Sequence, residues 1–155
     1  MPDPNIEILY KETYLKAIEN SVGSKIFNSL FIQSKNNNEI SDVLNDGMYS
    51  CAFFVSSILY LFKTIDKPYA TVKSVSAYFN NDIKWKEIKL TNIEAGDVIL
   101  WEKIKFDDGS ENAHIGFALN NIEAVSTDYK NKIVNKHLLL GDNKRKIEKV
   151  YRYSW

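Results

Sequence analysis

The sequence predicts an α+β fold in which N-terminal helices pack against a C-terminal antiparallel β-sheet. Apolar residues recur at helical intervals through the first half of the chain. From Ile83 onward they fall instead in short β-rich runs separated by turn residues. With 155 residues, of which 45% are hydrophobic, 13% aromatic and 26% charged, residues 1–155 read as a single domain with one core. There is no internal repeat, low-complexity tract or Pro/Gly/Ser linker to divide it.

Ile6, Leu9, Tyr10, Tyr14, Ala17 and Ile18 are spaced as one helix face, which predicts a first helix over residues 6–20 with Gly23 as its stop. Ile26, Phe27, Leu30 and Phe31 predict a short second helical piece, residues 33–38 a polar loop, and Ile40 the return of the core. Asn45-Asp46-Gly47 is a turn signal. Ser50 then stands where an N-cap belongs, ahead of an apolar helix over residues 51–65. Apolar side chains lie on almost every face of that helix, as a central, buried helix requires. Thr71 is placed to cap another helix running to Asn80-Asn81. The strands are IKWKEIKL, GDVILWEKI, AHIGFAL, IEAVST, KIVNKHL and IEKVYRY.

Twenty basic residues balance twenty acidic ones, and each half of the chain is close to neutral, so nothing favours a polyanion and no nucleic-acid partner is expected. The basic tail from Lys144 to Arg152 reads as a solvated strand face. No apolar run reaches the roughly 18 residues of a membrane span, and MPDPNIEILYKE lacks the basic start and apolar stretch of a signal peptide. The cytoplasm is therefore the expected compartment.

The single cysteine, Cys51, has no disulfide partner within the chain. In the first turn of a helix, unpaired N–H groups and the positive end of the helix dipole stabilise a thiolate, the form in which a cysteine is nucleophilic. The alternative role for Cys51 is a small hydrophobe filling a packing gap. In AHIGFAL, alternation sets His114, Gly116 and Ala118 on one face and Ile115, Phe117 and Leu119 on the other. The small residues beside His114 leave room for another element, so this histidine is a candidate to take the thiol proton. Its alternative is a structural histidine. His137 lies in a less regular run without a small-residue face and is assigned no role. No metal-ligand spacing, glycine-rich phosphate loop or G-x-S-x-G elbow occurs, so neither a metal nor a cofactor is expected.

MYSCAFFVS, AGDVILW and HIGFALNNIEAVS together resemble the three blocks of the NlpC-type cysteine peptidases, papain-fold enzymes that cleave peptidoglycan peptides. The CHAP amidases, of the same architecture, are nearly as similar. The resemblance covers about residues 48–126 and implies a papain-like fold. It implies Cys51 as nucleophile, His114 as general base, and Ser126, twelve residues on, at the third catalytic position. Asp128 is the alternative for that position. Tyr49 falls where the family has a tyrosine that lines the site near the oxyanion. Gly96-Asp97 matches a structural turn, without a catalytic role for Asp97. Trp101, with Trp85, is a candidate to line a peptide or sugar groove, and the acidic loop FDDGSEN to reach over the cleft.

The chain departs from the family at Ser50, Ala52 and Phe53, where Asp, Ser and Gly are usual, and at Ser126, where His, Asn or Gln is usual. The resemblance implies a metal-free cysteine amidase or peptidase acting on a bacterial cell-wall peptide or peptidoglycan fragment. Wall access then requires a non-Sec route or a phage particle, or the substrate is recycled in the cytoplasm. The departures favour a second reading, a catalytically inactive papain-like domain that binds a peptide or glycan. Neither reading sets the oligomeric state.

Overall fold

The structure is a computed structural model that describes residues 3–140 and 145–155. It is α+β, with helices α1 (Tyr10–Asn20), α2 (Cys51–Leu61) and α3 (Val72–Asn81) and a two-stranded hairpin, β1 (Phe31–Gln33) with β2 (Ile40–Asp42), all preceding the main sheet. That sheet holds β3 (Trp85–Glu87), β4 (Val98–Lys105), β5 (Glu111–Ala118), β6 (Glu123–Asp128), β7 (Ile133–Leu138) and β8 (Ile147–Tyr153). Its order is β3-β8-β4-β5-β6-β7, antiparallel throughout, so the last strand inserts between β3 and β4.

Strand alternation sorts the core into two layers. Val98, Leu100, Ile115, Phe117 and Val125 face the helices and pack with Phe54, Val55 and Leu59 of α2. The Phe54 and Phe117 rings meet edge to face at 5.5 Å, and both are fully buried, a contribution of about 2–3 kcal/mol each. Ile99, Trp101, Ala118, Ala124, Leu139 and Val150 form a second apolar cluster on the opposite face. Thr71 caps α3 as expected, its hydroxyl accepting from the Ser74 N–H at 3.2 Å.

Four expectations are corrected. α1 begins at Tyr10 rather than at residue 6, because Asp3 turns the chain by accepting from the Asn5 N–H at 2.9 Å, and Ile6, Ile8 and Leu9 are exposed, with no packing to hold a helix. The stretch read as a second helical piece and a loop runs into the β1–β2 hairpin, and Ile40 is 65% exposed rather than core. α2 ends at Leu61, four residues early: Lys63 adopts φ +57°, while the Thr64 and Lys63 N–H groups donate to the Leu59 and Tyr60 carbonyls. This is a Schellman end built without the glycine that normally marks one. Ser50 does not cap α2. Its backbone is already near-helical (φ −86°, ψ −5°), and its buried hydroxyl donates to the Gly47 carbonyl at 3.0 Å.

Among the described residues no helix is long and apolar enough to cross a membrane. Arg145 and Arg152 of the basic tail are not solvated charges. Arg152 donates to the buried Asp97 carboxylate at 2.7 and 2.8 Å, while Lys144 lies outside the described residues.

Candidate active site

The approach to Cys51 is fixed by the 42–50 segment. Asp42 accepts from the N–H groups of Leu30, Leu44 and Asp46, and the turn that follows passes through three left-handed residues, Asn45, Asp46 and Gly47. A Cβ on Gly47 would lie 2.7 Å from the Asn28 side chain, so this turn needs glycine for both conformation and space. Lys132, in the β6–β7 turn, pairs with Asp46 at 2.7 Å and ties the segment to the sheet. Cys51 then opens α2, half-buried, near enough to the backbone N–H groups of Ile115 and Ala52 for them to act on its thiol.

His114 stands one residue before Ile115, paired across β4–β5 with Trp101. Its Nε2 lies 2.8 Å from Ser126 Oγ, and the same Oγ lies 2.7 Å from Nε2 of His137, whose Nδ1 lies 2.8 Å from the Leu138 carbonyl. Ser126 is buried, and the reason two strands come this close is Gly116. A Cβ there would sit 2.5 Å from the Val125 carbonyl, 2.8 Å from Ser126 Cβ and 3.1 Å from the Trp101 ring. The small face beside His114 thus admits Ser126 and Trp101. The thiol of Cys51 and the imidazole of His114 make no hydrogen bond with one another.

Burial pushes the Cys51 thiol up from its ordinary value. The Ile115 and Ala52 N–H groups and the charge on Arg145 oppose that rise without reversing it. Burial also takes His114 down to about 3, with Arg145 and His137 acting in the same direction. Desolvation therefore works against the helix-end N–H groups, favouring the neutral thiol as it favours the neutral imidazole.

The other expected residues take different places. Trp101 is buried, donates from Nε1 to the Leu139 carbonyl at 2.7 Å, and lies with its ring 5.4 Å from that of His114 and 5.5 Å from that of His137. It backs the histidines and lines no groove. Trp85 is also buried, donating to the Thr64 carbonyl at 2.9 Å. Asp128 closes the β6–β7 turn instead of orienting His114, accepting from Lys130 N, Asn131 N and Asn131 Nδ2. Tyr49 is half-buried, its hydroxyl 3.5 Å from Asp108 in the FDDGSEN loop, which brings that loop beside the start of α2. Asp97 is held in a buried ion pair, a structural role.

Two residues of the site escape sequence reasoning. His137 enters only through the β6–β7 register, which sets it opposite Ala124 and diagonal to Ser126. Its signal is the Val134-in, His137-out alternation once the Asp128 turn is recognised. Arg145 has no signal beyond its charge: it donates from Nε to the Glu102 carbonyl at 2.7 Å and from Nη2 to the Asn112 carbonyl, which sets its charge beside both Cys51 and His114. Among the described residues no three His, Cys, Asp or Glu side chains gather as metal ligands. Two surface concavities, one lined by Phe79, Asp82 and Tyr151 and the other by Tyr14, Glu94 and Trp155, lie away from Cys51. No protein-family model matches the chain, and no curated protein matches its sequence.

Proposed function

We propose that the chain is a cysteine hydrolase of papain-like, NlpC-type architecture that cleaves an amide bond in a peptidoglycan-type peptide. The observation that carries this reading is the placing of Cys51 at a helix start near the Ile115 N–H, where Ile115 directly follows a histidine whose Nε2 is already engaged by Ser126. Nδ1 of His114 is the nitrogen that remains for the thiol proton. The α+β order and the antiparallel sheet support the architecture, and the peptidoglycan substrate class rests on the three resembling blocks alone.

With burial favouring the neutral thiol and the neutral imidazole, the proton moves as the sulfur attacks. Sγ forms a bond to the amide carbonyl carbon while its proton passes to His114, and the resulting imidazolium gives that proton to the leaving amine as the C–N bond breaks. Water, deprotonated by His114, then cleaves the thioester, releasing the acid and regenerating the thiol. The Cys51 N–H donates to the oxyanion, with the Tyr49 hydroxyl as a second donor once it leaves Asp108. Arg145 favours the thiolate over the thiol during the attack.

A second reading, a catalytically inactive domain of the same architecture that binds a peptide or glycan, is favoured by the raised thiol and by concavities that avoid Cys51. The two are separated by incubating the protein with a muropeptide digest and analysing the products by mass spectrometry. The hydrolase reading expects new amine and carboxyl termini with the wild type and none with Cys51→Ala or His114→Ala. Saturable binding without new termini in any protein supports the binding domain.

A further inference from the structure

We propose that His137 is a positioning residue that fixes the tautomer of His114 through the hydroxyl of Ser126, so that the proton-accepting nitrogen of His114 is set by a carbonyl at the far end of β7. This rests on the reading of His114 as the base for Cys51. Each link follows from counting hydrogens. The Leu138 carbonyl can only accept, so His137 Nδ1, 2.8 Å away, carries the proton. In a ring with a single proton, Nε2 is then a bare acceptor, and Ser126 Oγ at 2.7 Å must donate to it. A hydroxyl has one hydrogen. Toward His114 Nε2, 2.8 Å away on its other side, the Ser126 oxygen can only accept. His114 must therefore hold its proton on Nε2 and leave Nδ1 unprotonated, which is the tautomer a general base requires. Reversing the relay would place the His114 proton on Nδ1 and remove the base.

The surroundings hold the relay in one orientation. The Trp101 ring lies against both imidazoles, and its Nε1 donates to the Leu139 carbonyl, the residue after the one that terminates the chain of bonds. Gly116 brings Ser126 into reach from the opposite side. The relay compensates for a short side chain: serine alone can donate to or accept from an imidazole, and it is His137 that removes the choice.

The test is the protonation site of His114, read from long-range 1H–15N correlation spectra of uniformly 15N-labelled protein at one neutral pH. The wild type should carry the His114 proton on Nε2. His137→Phe, which keeps a ring against Trp101 but removes the acceptor, should shift His114 toward a mixture containing the Nδ1–H form. His137→Gln restores an acceptor at the Nε2 position and should return the wild-type pattern. If His137→Phe does not fold, Ser126→Ala replaces it with the same expectation. An Nδ1–H His114 in the wild type, or an unchanged tautomer in the folded His137→Phe or Ser126→Ala variant, overturns the proposal. Where the wild type hydrolyses muropeptides, His137→Phe should lower kcat by about 10²-fold at unchanged KM. The nitrogen spectra are independent of turnover, so a wild type without activity overturns the hydrolase reading while the tautomer still decides this one.

Discussion

Ser126 is buried between two imidazoles and satisfies a ring nitrogen on each side. Its replacement by alanine leaves two half-buried imidazole nitrogens without this partner, at about 1–3 kcal/mol, and should lower the melting temperature while abolishing most turnover. Thermal denaturation and the muropeptide assay check the two halves of that statement. His114 makes a second prediction, from pH. Its ordinary value is 6.5 and its folded value about 3, so between these the unfolded chain takes up a proton that the folded one does not. The stability supplied by the neutral ring is complete above pH 6.5 and is lost as pH falls toward 3. Urea titrations at pH 7, 5 and 4 should show the wild type losing a few kcal/mol more than His114→Gln, an order-of-magnitude figure. Equal losses would mean that the ring is solvated. The helix-start place of Cys51 and the small-residue face of His114 were legible in the sequence because helix start and strand alternation are local signals, whereas Ser126 was indicated only by the resemblance. His137 and Arg145 were not, since each acquires its place from a pairing made only in the folded sheet.

At the scale of elements, the spacing between β5 and β6 decides whether the site exists. Gly116→Ala forces a methyl group to 2.5 Å from a backbone oxygen, so the strands must part. We expect a loss of roughly 1–3 kcal/mol by overpacking, together with loss of the His114–Ser126 bond, read as a lower melting temperature and a changed His114 nitrogen spectrum. An unaltered spectrum would show that the strands do not depend on this contact. The long apolar helix and the six strands were readable from periodicity, and Thr71 from its cap chemistry. The β1–β2 hairpin was not, because its residues are exposed and carry no burial pattern. The end of α2 was hidden for a different reason: Lys63 occupies the left-handed position where a glycine would have announced the stop.

For the whole molecule, the order of the sheet matters most. β8, the last strand, pairs with both β3 and β4, and its Arg152 holds the buried Asp97 carboxylate at the start of β4. Among the described residues, Arg152→Ala leaves that carboxylate accepting only from the Glu94 N–H, and should cost about 3–5 kcal/mol, measurable by chemical denaturation. A cost under about 1 kcal/mol would place the pair with ordinary surface bridges. The α+β class and the order of helices before strands follow from the change of period near Ile83, whereas the insertion of β8 between β3 and β4 is set by long-range pairing that no local pattern encodes.

The central claim is that Cys51 attacks an amide and is transiently acylated. Its most direct test is the intact mass of the protein, quenched in acid during reaction with a muropeptide digest, followed by peptide mapping. The account predicts an acyl adduct on the peptide containing Cys51, absent from Cys51→Ala. New peptide termini produced equally by Cys51→Ala would contradict it, as would a wild type that binds the digest and never acquires the adduct.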